Sequence, residues 1–552
     1  MKKWMLFLAF FYFFYGITVA QLPPTCYRIS LSDKSNTPFS INNPLAYLSQ
    51  RALDKRARFN ISLTEQDLPV NPQYIQQIKA VDTAIQVLCV SKWMNTVTIY
   101  CPDSTKLMQI SALPFVMDYL PVANYDLSNR DTVLETLEFP EYSVMPFAKD
   151  SILPYDYGAG LGQIAIHNGQ LLHKDGFRGE GILIAVFDAG WNGVDTSRYF
   201  QSLFENGQIW GTRDLIPGRN NVFEGHNHGT LVTSTMAVSA EGELVGTAPE
   251  ANYFFIRSEN PDSEQLIEED FWAQAAEIAD SIGADVINSS LGYTTFPDFP
   301  QGNFTYENTD GVTSIASRAA TILGQKGVVV CISAGNDGAN EWHYIGHPAD
   351  AIGVLAVGAA DADGNIGAFS SRGPSYDGRV KPDITSVGVR TACVWPGDFL
   401  GTADGTSLAG PVAAGLCACL WQALPQKTST EIMQIIRESS SCYNNPNDSL
   451  GYGIPDFYAA YQTHAHDGVS MREISTVCVF PNPCTSHFNI ANNDNNIDRV
   501  VLFSIDGKQV LNTSSKNHDY ISVDVQNVPT GFYIGKVYLK NKQIETFKII
   551  KQ

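Results

Sequence analysis

The sequence predicts an α/β fold in which a parallel sheet carries helices on both faces, at the centre of a chain of 552 residues. Continuous apolar runs rich in β-branched residues recur there, which is typical of strands buried on both faces. Amphipathic runs with apolar residues three and four positions apart separate these strands and supply crossover helices. The strand-like runs are ILIAVF, ADVINSSL, GVVVCIS and AIGVLAVGA, and the helical runs include FWAQAAEIADSIG and SIASRAATILGQKG.

Regions of different character flank this central domain, which we assign to residues 157–462. Residues 21–123 alternate strand-like runs (YRISL, AIQVLCV, NTVTIYC) with helical ones (PLAYLSQRALDKRARF, PQYIQQIKAV), and this pattern predicts a small α/β domain. Residues 477–552 contain short strands divided by turn signals, which predicts a small all-β sandwich. The stretches 124–156 and 463–476 show weak periodicity and are interpreted as linkers.

Composition and the start of the chain restrict the function further. A formal net charge of −21 argues against nucleic acid as a partner, because phosphate binding needs clustered Lys and Arg. Residues 1–20 begin with Lys2 and Lys3 and continue as an apolar run ending in a small residue, which predicts a secretory signal peptide. An uncleaved membrane anchor is the alternative, since the run is close to the shortest spanning length.

The chain has ten cysteines, and their spacing matches no zinc-binding pattern. Export would permit disulfides. Cys331, Cys417 and Cys419 lie in apolar segments, where buried thiols are as good an interpretation as bridges. Cys478 and Cys484 flank VFPNP, and whether they pair stays open.

Four polar residues stand where open α/β sheets form their sites, beyond the carboxyl ends of strands. Asp188 ends the strand ILIAVF, Asn336 follows VVVCIS, and His228 and Ser407 each open a helix-like run. An imidazole can accept the proton of a serine hydroxyl, and a carboxylate can orient that imidazole. An amide can donate to the oxyanion that forms. The set predicts a serine nucleophile with its base, its orienting group and an oxyanion donor.

The small residues around Ser407 have a role in this interpretation. A nucleophile at a helix N-terminus gains a free backbone N–H and a favourable dipole. Gly405, Ala409 and Gly410 are expected to let the substrate backbone approach closely.

The motifs GTSLAGP, NHGTLV, AVFDAG, NSSLG and SAGNDG together resemble the subtilisin-like serine proteases, the subtilases, over roughly residues 160–462. The chain order Asp, His, Ser is the subtilisin order. The resemblance implies that Asp188 orients the base, His228 is general base and then acid, Ser407 is the nucleophile, and Asn336 is the side-chain oxyanion donor. It implies a serine endopeptidase that works through an acyl-enzyme intermediate.

The resemblance also implies that Ser290, Leu291 and Gly292 offer backbone hydrogen bonds to an extended substrate. No cofactor is expected for catalysis. Structural calcium is not supported by the sequence, because the stretch 361–365 (DADGN) lacks the bidentate Glu of a calcium loop and is better interpreted as a hairpin turn.

Two positions depart from the subtilase pattern. The family usually has Met after the nucleophile, whereas this chain has Leu408, which removes a thioether prone to oxidation. The family often has a second His soon after the HGT motif, and Leu231 stands in that place. We do not expect the absence of this second His to disable catalysis, and we expect Leu408 to give greater tolerance of mild peroxide than relatives with Met show.

The flanking regions resemble partners of a subtilase domain. Residues 21–123 are similar to a subtilase propeptide of the inhibitory, fold-assisting kind; an N-terminal domain that stays attached is the alternative. Residues 477–552, with VFPNPCTSHFNI and VVLFSIDGKQVL, resemble the sorting domain of type IX secretion. An ordinary binding sandwich is the alternative there.

Together these features indicate a secreted endopeptidase made as a precursor, with protein or peptide substrates. Its own propeptide and the type IX secretion machinery are its expected partners, and nucleic acid is not. The resemblance places it outside or on the surface of a Gram-negative bacterium after export through the periplasm. The alternative is a surface binding protein built on an inactive subtilase scaffold.

Overall fold

A computed structural model of the protein describes residues 23–127, 155–465, 477–480, 482–492, 497–504, 507–514, 520–540 and 544–552. The chain forms two compact units, Met1–Ala465 and His466–Gln552. The predicted signal peptide lies outside the described residues, as does most of both predicted linkers. Among the helices described, none combines the length and the apolar character needed to span a bilayer.

The first part of the larger unit is an antiparallel four-stranded sheet in the order β2-β3-β1-β4. Its strands are β1 (Cys26–Leu31), β2 (Gln86–Ser91), β3 (Thr96–Tyr100) and β4 (Val116–Ala123). Its helices are α1 (Gln50–Phe59), α2 (Pro72–Lys79) and α3 (Leu107–Ser111). The predicted helix over PLAYLSQRALDKRARF starts only at Gln50, because the Ser49 side chain caps α1 by accepting a hydrogen bond from the Ala52 N–H.

Alternation along β1 and β3 gives this sheet two different faces. Ile29 and Ile99 pack with the helices of the same small domain. Arg28 and Thr98 point to the opposite face, where both side chains bond to Asp270 of the central domain.

The centre of the larger unit is a seven-stranded sheet in the order β13-β12-β11-β10-β5-β9-β6, with every neighbouring pair parallel. This confirms the predicted fold. The strands of the domain are β5 (Leu183–Asp188), β6 (Ile209–Asp214), β7 (Ser239–Ala240), β8 (Leu244–Val245), β9 (Asn252–Arg257), β10 (Val286–Ser289), β11 (Val329–Ser333), β12 (Leu355–Ala360), β13 (Ile384–Val387), β14 (Thr391–Trp395) and β15 (Phe399–Ala403). The pairs β7–β8 and β14–β15 form small antiparallel hairpins outside the main sheet.

Helices cover both faces of this sheet. They are α4 (Leu161–Ala165), α5 (Gly169–Lys174), α6 (Gln201–Glu205), α7 (His228–Ala237), α8 (Glu268–Ile282), α9 (Ile315–Gln325), α10 (Thr406–Ala423), α11 (Ser429–Glu438) and α12 (Phe457–His464). Ile184 and Val186 of β5 pack in one core with α7 and α10. Ala185 and Phe187 of the same strand pack in a second core with α8 and α9. Burial on both faces explains why this strand is apolar throughout.

The cysteines of this unit are thiols. Cys331, Cys417 and Cys419 are fully buried in the core, and the Cys331 and Cys417 sulfurs are 3.8 Å apart without a bond. In the C-terminal unit Cys484 is also a free thiol, so the pairing with Cys478 that the sequence left open is not formed.

The C-terminal unit contains two antiparallel sheets that share one apolar core, as predicted for a sandwich. The three-stranded sheet has the order β16-β17-β20, and the four-stranded sheet has the order β19-β18-β21-β22. The strands are β16 (Val477–Phe480), β17 (His487–Asn492), β18 (Ile497–Ser504), β19 (Gln509–Ser514), β20 (Tyr520–Asp524), β21 (Gly531–Leu539) and β22 (Ile544–Lys551). Phe488 and Ile490 of one sheet meet Val500 and Val537 of the other in this core.

Candidate active site

The carboxyl end of β5 and the N-terminus of α7 bring Asp188 and His228 together. Asp188 is fully buried, and its Oδ1 and Oδ2 atoms lie 2.9 and 3.1 Å from His228 Nδ1. The His228 side chain is 27% exposed. A carboxylate on Nδ1 holds the ring in one orientation and leaves Nε2 free to exchange a proton with a hydroxyl.

Opposing effects act on the pKa of His228. Burial lowers the pKa, whereas the negative charge of Asp188 and its hydrogen bond raise it, and the net result is a pKa above the ordinary value. The protonated imidazole is therefore stabilised, which suits a group that must hold a proton during the reaction.

The position of α7 depends on a close backbone contact at Gly229. The Gly229 N–H donates to the Gly190 carbonyl at 2.9 Å, just beyond the end of β5. A Cβ at this position would lie 2.6 Å from the same oxygen. Only glycine therefore allows the helix that carries His228 to start this close to Asp188.

Ser407 is the second residue of α10 and is 8% exposed. A Cβ on Gly405 would lie 2.8 Å from Ser407 Oγ, so this glycine leaves space around the hydroxyl. Gly410 has another role. A Cβ there would approach Ser333 Oγ at 3.0 Å and Asn288 Oδ1 at 3.3 Å, so Gly410 serves the packing of α10 on the sheet and not the approach of substrate.

The first turns of α7 and α10 lie side by side. Leu231, one turn after His228, and Leu408, beside Ser407, belong to one buried apolar cluster with Cys393. Among the described residues, Ser407 Oγ has no hydrogen-bond partner. The hydrogen bond between Ser407 and His228 therefore stays a prediction, and catalytic hydrogen bonds often tighten only when substrate is bound.

Asn336 lies next to the start of α10. Its Oδ1 accepts hydrogen bonds from the backbone N–H and the hydroxyl of Thr406, at 2.9 and 3.0 Å. With Oδ1 occupied in this way, the NH₂ group remains available as a donor beside Ser407. The sequence analysis does not predict this role of Thr406. The feature that could have indicated it is a hydroxyl residue directly before the nucleophile.

The segment Ser290–Leu291–Gly292 follows β10 and is joined to α10. The Ser290 hydroxyl donates to the backbone carbonyl of Ser407 at 2.9 Å. Within the described part of the chain, the backbone N–H and C=O groups of residues 290–292 form no hydrogen bonds, whereas the next residue, Tyr293, pairs with His347 in both directions. Unpaired backbone groups are what an added strand requires.

The stretch 361–365 forms a turn, as expected. The Asp361 N–H donates to the Asn365 carbonyl at 2.9 Å, and Asp361 Oδ1 accepts hydrogen bonds from the N–H groups of Asp363 and Asn365.

Three family models match the chain. The model described as Subtilase family matches residues 179–453, and the Peptidase S8 propeptide domain of Bacteroidota matches residues 26–134. The Secretion system C-terminal sorting domain matches residues 478–552.

The chain is also similar to known proteases. It is 27% identical over 333 residues to Serine protease AprX from Bacillus subtilis (strain 168), which covers 55% of this chain and 68% of that protein. It is 29% identical over 289 residues to Subtilisin BL from Lederbergia lenta, and this match covers 52% of this chain and 93% of that protein. It is 27% identical over 294 residues to Subtilisin E from Bacillus subtilis (strain 168), and this match covers 53% of this chain and 68% of that protein. The chain therefore belongs to the subtilase family, as a secreted serine endopeptidase made as a precursor with a Bacteroidota-type propeptide domain and a C-terminal sorting domain.

Proposed function

We propose that the protein hydrolyses peptide bonds through a triad of Asp188, His228 and Ser407. The observation that carries the proposal is the hydrogen bond between His228 Nδ1 and the buried Asp188 carboxylate. His228 lies at the N-terminus of α7, which packs beside the N-terminus of α10, where Ser407 lies.

In the proposed reaction, Ser407 Oγ attacks the substrate carbonyl carbon while its proton moves to His228 Nε2. The charge of Asp188 stabilises the imidazolium that forms. The Asn336 NH₂ group and the Ser407 backbone N–H donate to the oxyanion. His228 then protonates the leaving amine, which leaves an acyl-enzyme on Ser407. A water molecule then attacks the acyl carbon and gives its proton to His228 Nε2; the bond from that carbon to Ser407 Oγ breaks, His228 returns the proton to Oγ, and the acid product leaves. These four side chains and the Ser407 backbone N–H supply every group that the reaction needs from the protein, so we propose that catalysis requires no cofactor.

The substrate lies as an extended strand along Ser290, Leu291 and Gly292 in this proposal. Support comes from the unpaired backbone of this segment and from its link to Ser407. Main-chain hydrogen bonds would supply affinity for many sequences.

We further propose that residues 21–123 inhibit the precursor and leave after cleavage within residues 124–156. The packing of Arg28 and Thr98 against Asp270 of α8 supports this. The sorting domain, residues 477–552, would direct the chain through the outer membrane by the type IX machinery before cleavage within 463–476. N-terminal sequencing and intact mass of the secreted protein test both junctions, and a mature chain that starts at Gln21 would contradict the first.

Labelling with a fluorophosphonate probe tests the catalytic proposal. The wild type should label, Ser407→Ala should not, and the control Ser239→Ala, at an exposed serine, should label like the wild type. A folded, shortened wild-type chain that does not label would instead favour a binding protein on an inactive scaffold.

A further inference from the structure

Three glutamates converge beyond the carboxyl end of β9. Glu259 and Glu264 lie in the loop that leaves β9, and Glu268 is the first residue of α8. One carboxylate oxygen from each residue lies within 4.8 Å of the other two. The sequence carried no sign of this cluster, because the spacing does not correspond to a calcium-binding loop.

Glu268 is the unusual member of the cluster. The residue is fully buried, and neither of its carboxylate oxygens has a hydrogen-bond partner among the described residues. The backbone of Asn260 and of Gln265 lies near this carboxylate, but neither forms a hydrogen bond with it. A buried polar group normally has a partner, so an orphaned carboxylate directed at two others points to a missing ligand.

The surroundings contain negative rather than positive charge. None of the three glutamates forms a salt bridge within the described ranges, and the charged groups that act on them include Asp188 and Asp298. Burial and mutual repulsion raise the pKa of Glu259 and Glu268 well above the usual value, and burial together with Asp298 raises that of Glu264 to about 7. Three such carboxylates need either protons or a cation.

We propose that Glu259, Glu264 and Glu268 bind a calcium ion. Calcium takes oxygen ligands at about 2.3–2.6 Å, so ligands on opposite sides of one ion lie about 5 Å apart, in keeping with the spacing of these oxygens. Three carboxylates can supply up to six oxygens, whereas zinc prefers nitrogen and sulfur and magnesium retains several waters. Glu259 and Glu264 are partly exposed and provide a route of entry.

The site lies between two parts of the candidate active site. The Tyr293 hydroxyl donates to Glu259 Oε2 at 3.2 Å, and Tyr293 directly follows the substrate segment. The Ser258 N–H donates to the backbone carbonyl of Asp188 at 3.2 Å. Bound calcium would hold the loop after β9 against both of these neighbours.

Terbium, which replaces calcium and emits light when a nearby tyrosine is excited, provides the test. The protein is the full precursor with Ser407→Ala, which cannot digest itself, after treatment with a chelator. In that background Glu264→Gln and Glu268→Gln alter the cluster, and Glu241→Gln is the matched control at an exposed glutamate outside it. The readouts are metal binding and melting temperature and not peptidase activity, so the result does not depend on the proposed triad.

We expect saturable terbium emission that calcium displaces and magnesium does not, and a melting temperature that rises with calcium concentration. Glu264→Gln and Glu268→Gln should weaken calcium binding at least about tenfold, whereas Glu241→Gln should not. Equal calcium binding by all variants would overturn the proposal, as would the absence of any response to calcium in the parent precursor. If Glu268→Gln, at the buried position, fails to fold, Glu264→Gln alone still tests the proposal.

Discussion

Leu231 and Leu408 lie in one buried cluster with Cys393, at the junction of α7 and α10. Each is a position at which the sequence departs from the subtilase pattern. The two departures are therefore neighbours in the structure, at the helix ends that carry His228 and Ser407. Apolar packing at this junction holds the candidate base and nucleophile near each other.

The first prediction concerns oxidation. Leu408→Met should lose activity at a dose of hydrogen peroxide that leaves the wild type active, because a sulfoxide would place a polar group in this cluster beside the nucleophile. Residual peptidase activity after timed exposure measures the effect. Leu408→Ile, which has no sulfur, controls for repacking. Equal rates of inactivation for the wild type and Leu408→Met would refute the prediction.

A second prediction concerns the oxyanion donor. Asn336→Ala should lower kcat by about 10²–10³-fold with little change in KM, the range known for a single oxyanion donor in subtilisin, to which this chain is related. The reason is that the Asn336 NH₂ group acts on charge that develops only in the transition state. Steady-state kinetics on a peptide substrate provide the measurement. Asn340→Ala, which removes an exposed hydrogen bond to Asp337, should stay within about twofold of the wild type.

The pH dependence of the reaction gives a third prediction. His228 must be neutral to accept the Ser407 proton, and its pKa is raised, so kcat/KM should fall as the pH drops through an apparent pKa above about 6.5. Asp188→Asn removes the charge that raises this pKa. The variant should shift the acidic limb to lower pH and reduce kcat by about 10⁴-fold.

A pH–rate profile of both proteins measures this effect, with Asp195→Asn, at an exposed position, as the control. An acidic limb that stays in place in Asp188→Asn would show that another group controls it. By the same shift, protonated His228 contributes stability at low pH, and this contribution is lost as the pH rises through its folded-state pKa.

A fourth prediction concerns the contact between the propeptide and α8. Arg28 Nε and Nη2 lie 2.7 and 2.5 Å from the Asp270 carboxylate, and both side chains are buried. In the Ser407→Ala precursor, Asp270→Asn should lower the free energy of unfolding by about 3–5 kcal/mol, because it leaves a buried guanidinium without its charge partner. Denaturant unfolding measures this change.

The matched control for that experiment is Glu243→Gln. Glu243 pairs with Arg198 at the surface, with both side chains largely exposed, so its removal should change the unfolding midpoint little. If the two variants lost equal stability, burial would not be the reason for the strength of the Arg28–Asp270 pair.

The sequence by itself determined the architecture of the central domain and the identity of its candidate catalytic residues. The strands β5, β10, β11 and β12 were predicted because burial on both faces leaves a continuous apolar run that can be recognised locally. Asp188, His228, Asn336 and Ser407 were found because Asp188 ends a strand, Asn336 lies shortly after one, and His228 and Ser407 lie at helix starts.

Strands with weaker local signals needed the tertiary structure. Residues 252–257 (NYFFIR) form β9 because they pair between β5 and β6, although polar residues at both ends weaken the pattern. β4 contains Pro121, which argues against a strand, and it is tolerated because β4 is at the edge of its sheet.

Relationships between distant residues were decided only by the folded chain. Thr406 orients Asn336 across 70 positions of sequence, and Leu231 meets Leu408 because two helices start side by side. Glu259, Glu264 and Glu268 form a cluster because the loop after β9 returns to the start of α8. A local pattern reports the burial of a segment, whereas the partner of a side chain depends on how separate segments pack, and that information is spread over the whole chain.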